Sequence, residues 1–342
     1  MRVITLAFLL WSSTLAQDIL PSAYWQSPLV RERQYVLWHD PGAVESADFR
    51  YGIGGQALAP KPPFTFDDED PSGTTPKITV KDANGRSWSV KFGNEASPDN
   101  FCSRMAWAMG YYTSPNYFVE QGTIEGVKNL QRAKSYIDKK GRFEAGRFQL
   151  RSKDPKFLKT VTWSWEDNPF LKTPEFGGLK ILMMLLSDWD NKDARDAESR
   201  GTNTAIYQHG DMLYYFIDDW GGSMGNWGKF FTRSKWNADH FLKQSDDFVK
   251  LDDGKLEWGY VGQHSSLLKD GVTQGDAAGS SNTSAASATT SSAPASMPAA
   301  PRPKRPKNTC ELSAPESRPF NPQAVNPAIL SIPQWNRSRP TF

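Results

Sequence analysis

Acidic side chains in two short segments are the residues best suited to chemistry. Asp190 closes the run Asp188-Trp189-Asp190, Asn203 follows 13 positions later, and Asp219 opens the run Asp219-Trp220-Gly221. Carboxylate and amide oxygens are ligands that Mg²⁺ and Mn²⁺ favour, and a carboxylate can also take a proton from a hydroxyl group. Asn203 and Asp219 are therefore candidate metal ligands, and Asp190 is the candidate catalytic base.

A lysine-bearing segment upstream offers groups that could bind phosphate. Ser72, Gly73 and Lys77 belong to a small polar loop that leads into a strand, and Lys91 lies in the following strand. Such a loop can bring backbone N–H groups near phosphate oxygens, and a strand lysine can neutralise their charge. Together with the acidic residues, these four predict binding of ATP with Mg²⁺ or Mn²⁺ and phosphoryl transfer to a hydroxyl group.

The phosphate-binding candidates lie on elements that local sequence predicts well. Apolar residues alternate on both sides of Asn84-Gly85 within residues 77–92, which is typical of a β-hairpin. A helix should follow, with Ser97 as its N-cap and Gly110 at its end. Its apolar face is expected to carry Phe101, Met105 and Ala108.

The acidic candidates follow other predicted elements. A second helix is expected over 124–139, and the apolar run 176–187 is typical of a buried helix. Two strands, 205–208 and 213–217, follow the acidic stretch 188–203, and the second strand leads directly into the Asp-Trp-Gly turn. This order of elements predicts an α+β fold rather than a regular βαβ series.

At these residues the chain resembles the kinase-like superfamily, in particular HipA-type kinases and the phosphatidylinositol 3-/4-kinase group. Residues 72–77 and Lys91 resemble a HipA nucleotide loop and its lysine, Asp190 the catalytic aspartate, and Asn203 and Asp219 the metal ligands. Residues 163–170 and 177–190 are also similar to stretches of a set of uncharacterised exported bacterial proteins. The resemblance covers roughly residues 50–265. It implies a two-lobed protein-kinase-like fold and a nucleotide as partner, with a protein, lipid or sugar as acceptor.

The chain departs from the kinase pattern in ways that leave a second hypothesis open. The kinase motif H-R-D-x-x-x-x-N places its aspartate and asparagine closer together than Asp190 and Asn203, so an inserted loop over 195–201 should bulge outward. The predicted helix has no interior glutamate to pair with Lys91, which leaves only Glu95 or Asp99 as poor substitutes. A catalytically inactive kinase-like protein remains an alternative.

Two further alternatives come from other motifs. The run Gly221–Gly225 matches the G-x-S-x-G nucleophile elbow, with Ser223 as nucleophile. Asp246 with His240 or His264 could complete a triad, and the required order Ser, Asp, His leaves only His264. Too little chain follows Ser223 for the remaining units of an α/β-hydrolase. The abundant tryptophans and tyrosines could instead line a carbohydrate- or peptidoglycan-binding face, which would make the protein a binding module of the cell envelope, although aromatic residues are more often core residues.

Composition divides the chain into five segments. They are a signal peptide (1–16), an N-terminal segment with a small β-rich lobe (17–122), a larger helical lobe with the acidic site (123–272), a disordered linker (273–309) and a C-terminal tail (310–342). The charged start, short apolar run and small residues of 1–16 are typical of secretory signals, which predicts a secreted or periplasmic protein. The linker is rich in Ser, Ala, Thr and Pro.

Charge and cysteine content exclude other classes. Lys+Arg 40 against Asp+Glu 38 argues against nucleic acid as a partner, and no apolar run after the signal peptide is long enough to predict a transmembrane protein. The two cysteines, Cys102 and Cys310, cannot form a disulfide framework, and whether they pair is left open. Cys102 is expected to pack as a small apolar residue.

Overall fold

The computed structural model describes residues 33–273 except 72, 74, 160, 230, 231, 246, 247, 253 and 254. The predicted signal peptide, nearly all of the predicted linker, the predicted tail, Cys310 and Ser72 lie outside the described residues. Within the described part, none of the helices has the length and apolar character needed to cross a bilayer.

The described residues combine strands and helices, which confirms the predicted α+β class. The strands are β1 (Gln34–Val36), β2 (Phe64–Asp70), β3 (Lys77–Lys81), β4 (Ser87–Lys91), β5 (Asn116–Glu125), β6 (Arg142–Leu150), β7 (Lys156–Phe157), β8 (Thr204–His209), β9 (Met212–Ile217), β10 (Val249–Asp252) and β11 (Lys255–Trp258). The helices are α1 (Gly55–Leu58), α2 (Ala96–Ala108), α3 (Pro174–Leu185), α4 (Ala197–Arg200), α5 (Ala238–Ser245) and α6 (Ser265–Lys269).

Five strands close into a barrel in the order β2-β3-β4-β6-β5. Neighbouring pairs are antiparallel except β2 and β5, which run parallel and complete the closure. Alternate side chains of β3 and β4 point inward, because successive residues of a strand face opposite sides. The barrel interior is filled by Phe64, Ile78, Val80, Trp88, Val90, Phe143 and Phe148.

A second sheet, in the order β1-β9-β8-β7, builds the other hydrophobic core. Helix α3 packs into this core, and Thr173 caps its N-terminus by accepting a hydrogen bond from the backbone N–H of Phe176 at 3.2 Å. Cys102 and Ala106 of α2 belong to the same core. Helix α2 therefore follows directly on the barrel strand β4 and buries one side against the second core.

The hairpin, the buried helix and the later strand pair are confirmed. Strands β3 and β4 pair antiparallel, and Gly85 adopts φ +74° in their turn, a conformation that glycine adopts without strain. Helix α3 occupies nearly the predicted residues. Strands β8 and β9 pair as predicted, with β9 ending at Ile217. The turn residues and the lengths of the apolar runs were sufficient signals for these elements.

The helix predicted over 124–139 is wrong, and the boundary predicted between residues 122 and 123 falls inside a strand. Strand β5 extends through Glu125, and the barrel continues to Leu150 at the end of β6. Val127, Leu130, Ala133 and Ile137 are spaced like one face of a helix, but they pack against the barrel core from outside any α-helix. A 3₁₀ turn over residues 133–135 is the helical structure in this stretch.

Helix α2 begins earlier than predicted and buries a different face. Its N-cap is Glu95 rather than Ser97, and the helix ends before Gly110, whose φ is +88°. Its buried positions include Asp99, Asn100, Cys102, Ser103, Ala106 and Ala108. Ala108 is thus buried as predicted, whereas Phe101 and Met105 are partly buried at the margin of the second core. The buried face of α2 differs from the predicted one because the helix turns Asp99 toward the barrel.

Candidate functional site

Lys91 lies at the centre of a cluster of charged side chains between the barrel and the second sheet. Its Nζ is 2.6 Å from Oδ2 of Asp219, 3.5 Å from Oε2 of Glu95 and 3.6 Å from Oδ2 of Asp99. Asp219 lies two residues beyond β9, so this ion pair joins residues 128 positions apart in sequence. Lys91 is buried, and three carboxylates compensate for the loss of hydration of its ammonium group.

The barrel presents a row of cations on its outer surface. Lys91 of β4 lies opposite Lys77 of β3 on one side and opposite Arg147 of β6 on the other. Residues directly opposite one another in a sheet face the same side. Because Val90 and Phe148 fill the barrel interior, Lys91 and Arg147 project outward, where α2 meets them.

Helix α2 supplies the counter-charges for this row. Asp99 is fully buried, 2.5 Å from Nη2 of Arg147 and near Lys91, and one of its oxygens accepts a hydrogen bond from the backbone N–H of Trp220 at 3.2 Å. Glu95, at the helix N-cap, also contacts Lys91. The expectation that Glu95 and Asp99 would be poor partners for Lys91 is wrong, since both carboxylates lie within ion-pair distance of it.

Replacing Arg147 with methionine should destabilise the fold by about 3–5 kcal/mol, because it leaves Asp99 with a single partially shared cation in a buried position. Urea unfolding measures this loss. Arg142→Met is the matched control, because Arg142 lies on the same strand but its pair with Asp138 is exposed. The control should cost at most about 1 kcal/mol. Equal effects of both substitutions would contradict the buried role of Arg147.

The acidic loop after α3 places Asp190 and Asn203 side by side. The side-chain amide of Asn203 donates a hydrogen bond to the backbone carbonyl of Asp190, and its backbone N–H donates to the carbonyl of Lys192 at 2.9 Å. Lys192 Nζ lies 3.3 Å from Oδ2 of Asp190. Residues 197–201 are exposed, so the insertion bulges outward as expected and the chain returns to Asp190 at Asn203.

Two glycines allow the acidic loop to approach the Asp-Trp-Gly turn. A Cβ at Gly222 would collide with the Cβ of Asp190 and lie 3.2 Å from Oδ1 of Asp188. A Cβ at Gly221 would lie 3.0 Å from both Oδ1 of Asp219 and Cβ of Glu95. Side chains at these positions would therefore push Asp190 and Asp219 apart. The glycines that resemble a nucleophile elbow serve here as close packing points.

The structure thus brings Lys91, Asp190, Asn203 and Asp219 into one region, but leaves the predicted phosphate loop at its edge. Lys77 pairs with Asp70 at 3.1 Å rather than with the central carboxylates. Gly73 adopts φ +75° in the turn between β2 and β3, and Ser72 lies outside the described residues. Lys77 and Lys91 are direct partners across β3 and β4, so the loop that leads into β3 lies at the same end of these strands as Lys91.

The electrostatic environment separates the carboxylates into two kinds. The crowded surroundings of Asp219 would alone raise its pKa, but the charges of Lys91 and Arg147 outweigh this and hold the pKa well below its ordinary value. Burial would alone lower the pKa of Lys91, but Asp219 and Asp99 outweigh it and raise the pKa. Lys91 and Asp219 are therefore both charged across the physiological range.

The pKa values of Asp190 and Asp188 are raised, in contrast to that of Asp219. Burial raises the pKa of Asp190 and Lys192 partly opposes that rise, while Asp219 adds to it. Burial, followed by the charges of Asp190 and Asp219, raises the pKa of Asp188 well above 3.8. Asp188 Oδ1 accepts a hydrogen bond from the backbone N–H of Asp190 at 3.3 Å, and Oδ2 is buried without a hydrogen-bond partner. Asp188 is thus the carboxyl group most inclined to keep its proton.

Replacing Asp188 with asparagine should stabilise the protein increasingly as the pH rises above about 4. The folded pKa of Asp188 is raised, so its contribution to stability is fully present below the unfolded pKa and is lost as the pH rises through the folded pKa. Asparagine mimics the protonated acid and does not titrate. Urea unfolding of both proteins in EDTA at several pH values measures the difference. Asp211→Asn, in an exposed turn, is the control. A pH-independent difference would contradict the prediction.

Sequence reasoning missed several residues that hold the cluster together. Asp218 accepts hydrogen bonds on Oδ1 from the side chains of Ser114, Gln149 and Tyr207, and Gln149 in turn accepts one from Arg147 at 2.5 Å. This network fixes the end of β9 against the barrel. Recognising β6 as a strand with Phe148 facing inward would have indicated that Arg147 faces outward; the other network residues have no local sequence signal.

The residues of the hydrolase alternative are engaged elsewhere. Ser223 is fully buried and its hydroxyl lies against the Cys102 thiol. His264 Nε2 lies 2.7 Å from Oδ2 of Asp196, and His240 Nδ1 lies 2.7 Å from the hydroxyl of Ser234. Both contacts hold the histidines in other hydrogen bonds, so the geometry does not assemble a Ser-His pair at Ser223.

The aromatic residues also have structural roles. Most of the tryptophans that the structure describes pack in the two cores or against the acidic loop: Trp88, Trp163, Trp165, Trp189, Trp220 and Trp258 are buried. Exposed aromatics such as Tyr35, Phe118 and Phe157 lie on different strands of the two sheets. Phe157 also contacts Tyr207, and the row of aromatic rings continues through Phe216 and Tyr112 to Tyr214, so the aromatic binding face stays a prediction.

A second acidic group is formed by later residues of the acidic loop together with His264. Ligand atoms of Asp193, Asp196 and His264 lie within 4.8 Å of one another. Asp193 is buried, pairs with Arg195 at 2.5 Å and accepts a hydrogen bond from the backbone N–H of Trp165 at 3.0 Å. Because Arg195 already neutralises Asp193, this group is explained as a support that anchors the loop.

Comparison of the chain with protein-family models, curated proteins and solved structures found no match. The α+β class and the position of the charged cluster between a closed barrel and a second sheet are what the structure establishes. Any function must therefore be inferred from the side chains of the cluster themselves.

Proposed function

We propose that this protein binds ATP with Mg²⁺ or Mn²⁺ and transfers the terminal phosphoryl group to a hydroxyl group. The barrel with α2 would form the smaller lobe of a two-lobed, protein-kinase-like fold, and the second sheet with α3 the larger. The observation that supports this most is the 2.6 Å ion pair between Lys91 and Asp219, which spans the two parts beside Asp190. Phosphoryl transfer depends mainly on this kind of charge placement.

Lys91 would bind the nucleotide phosphates. Glu95 and Asp99 hold its ammonium from behind, so Lys91 could exchange Asp219 for a phosphate oxygen without losing its fixed position. Asp219 is the more accessible partner, since its side chain is 34% exposed whereas that of Asp99 is fully buried. The Lys91–Asp219 ion pair therefore lies on the side of the cluster that a ligand could reach from solvent.

Asp219 and Asn203 fit a hard divalent cation. Both offer oxygen donors, Asp219 stays ionised, and Asn203 is fixed by its hydrogen bond to the carbonyl of Asp190. A bound Mg²⁺ or Mn²⁺ would neutralise phosphate charge. The side chain of Asp190, which is 25% exposed, is available for a different task.

Asp190 would act as the base. Its raised pKa makes the carboxylate a better proton acceptor than an ordinary aspartate. In the transfer, the acceptor hydroxyl loses its proton to Asp190, its oxygen bonds to the terminal phosphorus, and the bond from that phosphorus to the ADP oxygen breaks. The acceptor is a hydroxyl of a protein, lipid or sugar, outside the cytoplasm if residues 1–16 direct export.

Thermal unfolding with nucleotide tests the proposal. ATP with Mn²⁺ should stabilise the protein by about 2.7 kcal/mol when the nucleotide is at roughly 100 times its Kd. ATP alone and Mn²⁺ alone should stabilise it much less. No shift at millimolar ATP with Mn²⁺ would contradict the proposal, and metal-dependent binding without turnover would favour the inactive kinase-like alternative.

A further inference from the structure

We infer that Lys235 is a second phosphate-binding residue, which contacts the terminal phosphate of ATP while Lys91 holds the phosphates nearer Asp219. This inference rests on the proposed function and names a residue of the same site. Lys235 lies 16 positions beyond Asp219, in a segment without a motif that would indicate such a role.

Lys235 enters the cluster through Glu95. Its Nζ contacts Oε1 of Glu95, while Oε2 of the same carboxylate lies 3.5 Å from Lys91. Glu95 is thus shared by one lysine from the barrel and one from the segment after β9. Burial and Asp219 would raise the pKa of Glu95, but the two lysines outweigh them and lower it, so the bridge is ionic.

The backbone around Lys235 is held firmly. Asn226 and Ser234 exchange backbone hydrogen bonds at 3.2 and 3.1 Å, and the backbone N–H of Trp236 donates to the carbonyl of Ser223 at 3.2 Å. We call residues 223–229 and 232–236 the cleft hairpin. Trp189 Nε1 donates to the carbonyl of Ser234 at 2.9 Å, which ties the cleft hairpin to the acidic loop. These hydrogen bonds fix the backbone position of Lys235 relative to the acidic loop.

The cations of the cleft hairpin have different positions. Arg233 is exposed and lies over the Trp227 ring at 3.8 Å, and Lys229 is also exposed. Arg233 and Lys235 both lie near the buried Trp189 ring, at 5.7 and 5.3 Å from its centre, but Lys235, whose side chain is 22% exposed, is the one that contacts Glu95. Among these three, Lys235 is the one that points into the cluster.

The position of Lys235 relative to Asp190 indicates which phosphate it would meet. Trp189, against which it packs, directly precedes Asp190 in the chain. The base must lie beside the terminal phosphorus, whereas Lys91 is paired with Asp219. A lysine on the side of the base would therefore neutralise charge on the terminal phosphate.

Titration calorimetry with ATP and ADP, each with Mn²⁺, tests this role. Lys235→Met should weaken ATP binding at least about tenfold and ADP binding less than about threefold, since ADP lacks the terminal phosphate. Lys235→Arg, which keeps the charge, should restore most of the ATP affinity. Lys229→Met is the control on the same hairpin and should bind both nucleotides like wild type.

The outcomes separate the inference from the proposed function. If the wild type binds ATP and Lys235→Met binds it equally well, the role of Lys235 is wrong and the proposed function stands. Equal weakening of ATP and ADP, or no recovery in Lys235→Arg, would show that Lys235 only supports the hairpin and would also overturn the inference. If the wild type binds neither nucleotide, both proposals are overturned. Unfolding curves without nucleotide check that each variant is folded.

Discussion

Replacing Asp190 with asparagine should lower phosphoryl transfer from ATP at least about 100-fold and leave ATP affinity within about threefold of wild type. Asparagine has nearly the same shape but cannot take the proton of the acceptor hydroxyl. Its backbone contacts, including the hydrogen bond from Asn203 to the Asp190 carbonyl, should persist. The measurement is release of phosphate from ATP, with water as the acceptor, alongside calorimetric ATP binding.

The pH dependence of the wild-type rate gives a second readout for Asp190. A base must be deprotonated to act, so the rate should rise with pH through the pKa of Asp190. Burial raises that pKa, which places the rise above the ordinary aspartate value of 3.8. Asp211→Asn, an exposed carboxylate in the β8–β9 turn, should retain the wild-type rate and profile. An Asp190→Asn protein that transfers phosphate at the wild-type rate would show that Asp190 is not the base.

Replacing Asp219 with alanine should abolish the metal-dependent stabilisation by ATP, a loss of about 2.7 kcal/mol at roughly 100 times the wild-type Kd. Asp219 is the one proposed metal ligand that also pairs with Lys91, at 2.6 Å, so its removal takes away both the metal and the partner that orients the lysine. Thermal unfolding with and without ATP and Mn²⁺ measures the change.

The control for Asp219 is Asp211→Ala, because Asp211 is an exposed aspartate on the same hairpin. It should keep the full nucleotide effect. The Asp219→Ala protein should unfold cooperatively without nucleotide, since Lys91 retains Glu95 and Asp99 as partners. A metal-dependent ATP shift that persists in Asp219→Ala would place the metal elsewhere.

Local signals were sufficient for part of the fold. The turn at Asn84-Gly85 and the alternation around it predicted β3 and β4, because both depend on residues close in sequence. The helix predicted over 124–139 is wrong because that prediction also depended only on residues close in sequence. Its apolar spacing is helical, but Gly126 has φ +72°, and Glu69 accepts hydrogen bonds from the backbone N–H groups of residues 131–133. That contact spans more than sixty positions, and no local pattern could have indicated it.

The residues of the candidate site also divide into those that local motifs predict and those that depend on contacts between distant parts of the chain. Asp190 and Asp219 could be proposed from short motifs that follow predicted elements, and the structure brings them together across Gly221 and Gly222. Glu95 and Lys235 could not be paired from sequence, because they lie 140 positions apart and neither belongs to a motif. Side chains that support a cluster are chosen by packing between distant elements, so their spacing along the chain carries little information.

The position of the metal tests the account most directly. Crystals of the protein with Mn²⁺ and a non-hydrolysable ATP analogue would locate Mn²⁺ by anomalous scattering. The account predicts a peak at the carboxylate of Asp219 and the side-chain oxygen of Asn203, with phosphate oxygens at Lys91. A peak only at Asp193, Asp196 and His264, or nucleotide bound away from Lys91, would contradict it.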